Sequence, residues 1–227
     1  NTTANDMAKF LLLFTAAPYA NKGIVSAHAI KRMESPETSM AAKAGLKTGY
    51  GLGIRNSNFN GHKIYGHAGD GDGYLAEFAY CKESQRAYFV VINAFRHGLL
   101  EEFTNRLNNW LVEPLPAQQE AILPAAAKPL SRKQLLAFAG EYREVTQRFP
   151  FQNNTPAEII RINHVGNDLI RCISASTSGK CINILPVAEA LFRVEGEPHA
   201  SMAFVNATDG NLYLQTSFGS YQKEDGQ

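Results

Sequence analysis

Few residues of this sequence could do chemistry. Ser220-Tyr221-Gln222-Lys223 sets a serine three positions before a lysine. On a helix that spacing puts the amine one turn away, where it can take the hydroxyl proton. The motif needs a helix start. Ser220 instead follows the strand-like run Leu212 to Phe218 near a polar chain end, so it is read as non-catalytic. Asp70 and Asp72 form a close carboxylate pair, but Gly69, Gly71 and Gly73 flank them. They are read as serving a tight turn, the alternative being control of substrate charge at a pocket rim. His62, His97, His164 and His199 stand alone in polar or strand-like settings and are read as structural or solvated. No Cys/His set has metal-ligand spacing, and no cofactor is expected. One histidine stands in an unusual setting, the run Gly66-His67-Ala68-Gly69.

The chain has three cysteines. Cys172 and Cys181 flank a run that reads as a hairpin tip, with Ser176-Thr177 at its centre. Such a turn sets the two cysteines directly opposite each other, close enough to bridge. The readings left open are a disulfide, which would point to an oxidising compartment, and two half-buried thiols. Cys81 has no local partner and reads as a core thiol.

The elements that must position these residues fall into two groups. A net charge of +1 gives no field for nucleic acid or an anionic membrane. No apolar run approaches the ~20 residues that span a bilayer. Asp6 caps an expected helix carrying Met7, Phe10, Leu11 and Phe14, which Pro18 ends. A short helix covers Ala27 to Met33. Strands are expected over Tyr50 to Arg55, Lys63 to His67, Tyr74 to Cys81 and Ala87 to Asn93. The run Tyr88-Phe89-Val90-Val91-Ile92 suits a strand buried on both faces. A final helix is expected from about Leu99 to Val112. Glu113-Pro114-Leu115-Pro116 and the alanine-rich stretch ending at Pro129 read as a linker. The expected division is residues 1–114, a linker over 115–129, and residues 130–227. In the last part, Ser131 caps a short helix. Strands follow over Glu158 to His164, Asp168 to Ser174, Lys180 to Pro186, Ala190 to Glu195, Met202 to Asn206 and Asn211 to Thr216, a spacing that argues for a small barrel or sandwich.

The order of motifs carries a resemblance. Thr3-Ala4-Asn5-Asp6, then Tyr50-Gly51-Leu52-Gly53, then Gly66-His67-Ala68-Gly69 with Gly73-Tyr74, then Val90-Val91-Ile92-Asn93 and a long helix, resemble the serine hydrolases related to class C β-lactamases and penicillin-binding proteins. D-aminopeptidases and carboxylesterases belong to the same family. The likeness covers about residues 1–113. It implies that Gly66, Ala68 and Gly69 let a substrate backbone pair with the strand edge. It implies that His67 hydrogen-bonds a substrate carboxylate or the catalytic phenol, in the place where many β-lactamases carry the lysine of a KTG triplet. It also implies that the Asp70 N–H helps hold the oxyanion, a donor worth about 3 kcal/mol in the transition state. The literal triplet Lys47-Thr48-Gly49 lies where the family has a loop entering a strand, so Lys47 is read as solvated. Leu135 to Tyr142, with Gly140 and Tyr142, is similar to the start of the lipocalin-like β domains appended to this family.

The fold class expected is therefore α+β: the C-terminal portion of a β-lactamase-like α/β domain with an antiparallel sheet, followed by a small all-β barrel-like domain. The Ser-x-x-Lys and Tyr-x-Asn motifs of the family lack credible counterparts before residue 67. The expectation is a piece of a serine hydrolase that is inert alone. Its substrate would be a small molecule or peptide, its location periplasmic or extracellular, and self-association is expected through a core cut off from its other half. The competing expectation is a non-catalytic module that binds a ligand or a protein.

Overall fold

The computed structural model describes residues 2–15, 24–116, 130–146, 157–166, 168–173, 181–197, 199–217 and 219–224. Pro18, most of the expected linker and the expected hairpin tip at 174–180 lie outside them. The chain divides into two compact units, Asn1–Pro36 with Tyr50–Gln119, and Glu37–Gly49 with Glu120–Gln227.

The first unit is a five-stranded antiparallel sheet with helices on both faces. Its helices are α1 (Ala4–Thr15), α2 (Ala27–Glu34) and α4 (His97–Val112). Its strands, in sheet order, are β1 (Gly49–Tyr50), β2 (Arg55–Phe59), β3 (His62–Gly71), β4 (Tyr74–Cys81) and β5 (Arg86–Ile92). The expected N-cap of α1 moves by one turn. Thr3 is the cap, its Oγ1 accepting from the Asp6 N–H at 3.2 Å, while the Asp6 carboxylate accepts from the Thr3 N–H at 3.3 Å. This reciprocal pair satisfies two of the donors that a helix start leaves open. Alternation along the strands separates two cores. Tyr80 packs with Leu11, Phe14, Ile30 and Ile54 on the α1 and α2 face, while its neighbour Cys81 packs with Ile64, Tyr88, Leu111 and Val112 on the α4 face.

Two sequence expectations change here. Tyr50 to Arg55 is not one strand, because the chain turns between β1 and β2. The Gly51 N–H donates to the Ile54 carbonyl at 2.8 Å, and the Leu52 N–H to the Met33 carbonyl at 3.0 Å. A Cβ at Gly51 would lie 2.1 Å from that Met33 oxygen, so the position requires glycine. The run at Tyr88 is not buried on both faces along its length. β5 ends the sheet order among the described strands, where it pairs with β4, and Val91 is 54% exposed.

The second unit is a closed eight-stranded antiparallel barrel. Its strands are β6 (Gly140–Glu144), β7 (Ile159–Val165), β8 (Asp168–Ile173), β9 (Cys181–Pro186), β10 (Leu191–Val194), β11 (Met202–Asn206), β12 (Leu212–Thr216) and β13 (Ser220–Lys223). Closure removes the open edges that an unclosed sheet would leave. Its core includes Tyr142, Ile160, Leu169, Ile184, Phe192, Met202, Phe204 and Leu214. Helix α5 (Arg132–Phe138) begins with a capping box, in which Ser131 Oγ accepts from the Gln134 N–H and the Gln134 side chain accepts from the Ser131 N–H. Phe138 stacks on Phe204 with ring centres 4.6 Å apart. Two strands were not expected, β6 and β13. They pair with each other and close the ring. Each shows one buried side chain, Tyr142 or Tyr221, too few for a readable alternation. The remaining short helix, α3 (Met40–Lys43), belongs to this unit and was also unexpected.

The register sets Cys172 opposite Cys181. Cys181 is disulfide-bonded and Cys81 is a free, buried thiol.

Candidate functional site

Strand β3 changes character halfway along. His62–Gly66 pair on one side with β2, where Arg55 meets Gly66 and Phe59 meets His62. Tyr65–Gly71 pair on the other side with β4, from Tyr80 to Tyr74. His67 to Gly71 therefore run beyond the end of β2 and, among the described strands, pair with β4 alone. Among the described residues no strand pairs with the other side of this stretch, the arrangement that strand addition uses.

The side chains along this stretch divide by alternation. His67 and Gly69 lie on one face, and Gly66, Ala68 and Asp70 on the other. His67 is directly opposite Phe78, which meets Phe10 of α1 edge to face at 5.7 Å, so His67 belongs to the face covered by α1. His67 and Ala68 are half-buried, whereas Gly69 and Asp70 are exposed. The two glycines differ in cause. A Cβ at Gly66 would lie 2.3 Å from the Phe78 carbonyl oxygen, so β4 itself demands a glycine there. A Cβ at Gly69 would meet nothing within 4 Å, so that position faces open space. Asp70 pairs in register with Leu75, and exposed Asp72 sits in the turn from β3 to β4.

One residue near this edge was not singled out as a site residue from the sequence. The Tyr50 ring meets the His67 ring edge to face, with centres 5.8 Å apart and planes at 71°. Tyr50 is 42% exposed. It was legible only as part of the Tyr50-Gly51-Leu52-Gly53 motif, because residues so far apart in sequence meet only through the sheet.

The other sequence candidates have plain structural roles. Ser220 and Lys223 lie on β13, not on a helix. Ser220 Oγ accepts from Gln215 Nε2 at 2.9 Å, and Lys223 Nζ donates to the Ala137 carbonyl at 2.7 Å. Lys47 is exposed. His62 is buried against Glu83, with Nδ1 3.0 Å from the carboxylate. Among the described residues no group of three or more His, Cys, Asp or Glu side chains could hold a metal ion. No described helix is long and apolar enough to cross a membrane.

No protein-family model matches this sequence, and a search of curated proteins finds no match. Among solved structures, the chain is similar to SurE with D-Leu at 17% identity and a TM-score of 0.45, over 98% of this chain and 50% of that one. It is similar to a second SurE structure at 16% identity and a TM-score of 0.46, over 98% and 48%. It is also similar to the octameric penicillin-binding protein homologue from Pyrococcus abyssi at 17% identity and a TM-score of 0.36, over 98% and 47%. The chain thus spans about half the length of these solved chains.

Proposed function

We propose that this chain supplies the substrate-binding strand of a β-lactamase-related serine hydrolase. The observation that carries the reading is the half-paired strand β3, open along His67 to Gly71 where the family-like motif Gly66-His67-Ala68-Gly69 falls. In this reading an extended substrate pairs with the free edge, over the open space at Gly69. A serine on polypeptide outside this sequence attacks the carbonyl, the amine or alcohol leaves, and water then hydrolyses the acyl-enzyme. The Asp70 N–H serves as an oxyanion donor, and His67 holds a substrate carboxylate or the catalytic phenol. Substrates are a D-amino-acid peptide, a β-lactam or a simple ester. The disulfide at Cys181 supports a periplasmic or extracellular location.

The test uses the longer protein that contains this chain. Hydrolysis of a D-amino-acid p-nitroanilide, a chromogenic β-lactam and a p-nitrophenyl ester is measured beside the urea midpoint. His67→Ala is expected to lower kcat/KM at least about tenfold, or about 1.4 kcal/mol of transition-state binding. It should barely move the midpoint. Unchanged kinetics with a large loss of stability would overturn the reading. The chain by itself should show no acylation by a labelled penicillin.

Self-association is part of the same proposal. Val91, Phe103 and Trp110 of the first unit are each more than 40% exposed. Sedimentation velocity should show concentration-dependent association of the isolated chain, and a strictly monomeric profile at high concentration would contradict it.

A further inference from the structure

Alternation puts His67, Gly69 and Gly71 of β3 on one face of the first unit's sheet. An aromatic ring stands at each end of this row. The Tyr50 ring meets His67 edge to face, with centres 5.8 Å apart. Tyr74, across the two-residue turn Asp72-Gly73, is the register partner of Gly71. A Cβ at Gly71 would lie 2.4 Å from Tyr74 Cζ, so that ring leans over the glycine on the same face. Both rings are partly open, Tyr50 being 42% exposed and Tyr74 50%. Between them, a Cβ at Gly69 would meet nothing within 4 Å.

The gap at Gly69 continues across the sheet. Gly69 is opposite Ala76 on β4, and Ala76 is opposite Val91 on β5. Ala76 offers only a methyl group, and Val91 is 54% exposed. The neighbouring row is His67, Phe78 and Phe89, and there Phe10 of α1 packs on Phe78. Helix α1 thus covers the His67 row and leaves both ends of the Gly69 row exposed. From His67 to Gly71 the strand runs about 14 Å, room for one large side chain between the two rings. An added strand dictates which side chain that is. A residue directly opposite Gly69 puts its side chain on Gly69's face, and an aromatic ring there reaches the diagonal positions at His67 and Gly71. Its neighbours along the added strand point to the other face. The floor of Gly69, Ala76 and Val91 carries no charge, so a charged side chain would give up water there without gaining a partner.

We propose that Tyr50 and Tyr74 are specificity-determining residues: they flank the space over Gly69 as a slot for one aromatic side chain of an extended, peptide-like substrate. Two half-open phenol rings offer edge and face contacts to such a side chain. This deepens the hydrolase reading and rests on its assignment of His67 to Gly71 as the substrate edge.

The experiment titrates the 15N-labelled whole chain with two blocked, uncharged tripeptides, acetyl-Ala-Phe-Ala-amide and acetyl-Ala-Ala-Ala-amide, and follows the backbone amide signals of His67 to Gly71. The phenylalanine peptide is expected to shift these signals and to bind at least about tenfold more tightly than the alanine peptide. Tyr74→Ala and Tyr50→Ala should each cut that preference to about threefold or less. Tyr74 is half exposed at a strand end, so its variant keeps the test open should Tyr50→Ala fail to fold. Equal affinity for the two peptides would overturn the proposal. So would a preference that survives Tyr74→Ala, or the failure of both peptides to shift the signals of His67 to Gly71. The hydrolase reading fails separately. Preference for the phenylalanine peptide, with no hydrolysis of the three chromogenic substrates by the longer protein, would sink that reading and leave the slot standing. Hydrolysis with equal peptide affinities would sink the slot alone.

Discussion

The Tyr80 hydroxyl donates to the Glu34 carboxylate at 2.9 Å, deep in the first unit. The other Glu34 oxygen accepts from Lys82 Nζ at 2.8 Å, and the Glu34 carbonyl accepts from Asn56 Nδ2 at 2.7 Å. This knot ties the end of α2 to strands β2 and β4, next to the Met33 carbonyl that holds Leu52. Burial first, then the Glu34 charge and hydrogen bond, push the Tyr80 phenol well above its usual range.

Alkaline pH should therefore unfold this unit. Tyr65 is pushed up to about 12, mainly by burial and next by Glu34. Tyr88 is raised by burial and by Glu77, to which its hydroxyl donates at 2.9 Å. An unfolded tyrosine ionises near 10.0. Between that pH and the raised folded values, the native state keeps protons that the unfolded state has lost. Stability is then fully present below about pH 10 and falls as pH rises. Each such tyrosine contributes a slope of about 1.4 kcal/mol per pH unit. Urea midpoints should hold steady to about pH 10 and then drop. Tyr80→Phe should make the drop shallower. A flat profile up to pH 11.5 would sink this account.

Gly66 and Gly69 should respond oppositely to a methyl group. Gly66→Ala drives a Cβ into the Phe78 carbonyl and should cost about 1–3 kcal/mol or more. Gly69→Ala meets open space and should be within about 0.5 kcal/mol of the parent by urea unfolding. If the edge binds an extended substrate, Gly69→Ala should nonetheless raise KM in the longer protein. Equal costs at both positions would show that β3 and β4 do not approach as described.

Thiol counting checks the cysteine assignment. Denatured without reductant, the chain should take up one equivalent of iodoacetamide, at Cys81, and after reduction three. Reduction should also lower the barrel's thermal midpoint, since a short-loop disulfide typically contributes about 2–4 kcal/mol. Three labels before reduction would refute the bridge.

The sequence alone determined whatever rests on local pattern. Tyr74 to Cys81, a strand-like run set off by turn residues, is strand β4 with those bounds. The Ser131 cap was legible because serine favours helix starts, and the structure adds its reciprocal partner Gln134. Mixed helices and strands followed by a barrel-like domain were readable from periodicity and turn residues, and the antiparallel sheet was what the resemblance implied. Tertiary structure decided what depends on distant partners. Strands β6 and β13 each bury one tyrosine, and it is pairing with each other and with β7 and β12 that makes them strands. Helix α3 is too short to be read, because Gln215 holds it from a strand far along the chain. His67 was a candidate by motif. That its strand runs past the end of β2, and that Tyr50 lies against its ring, follows from sheet register, a property that residues acquire only once their neighbours are in place.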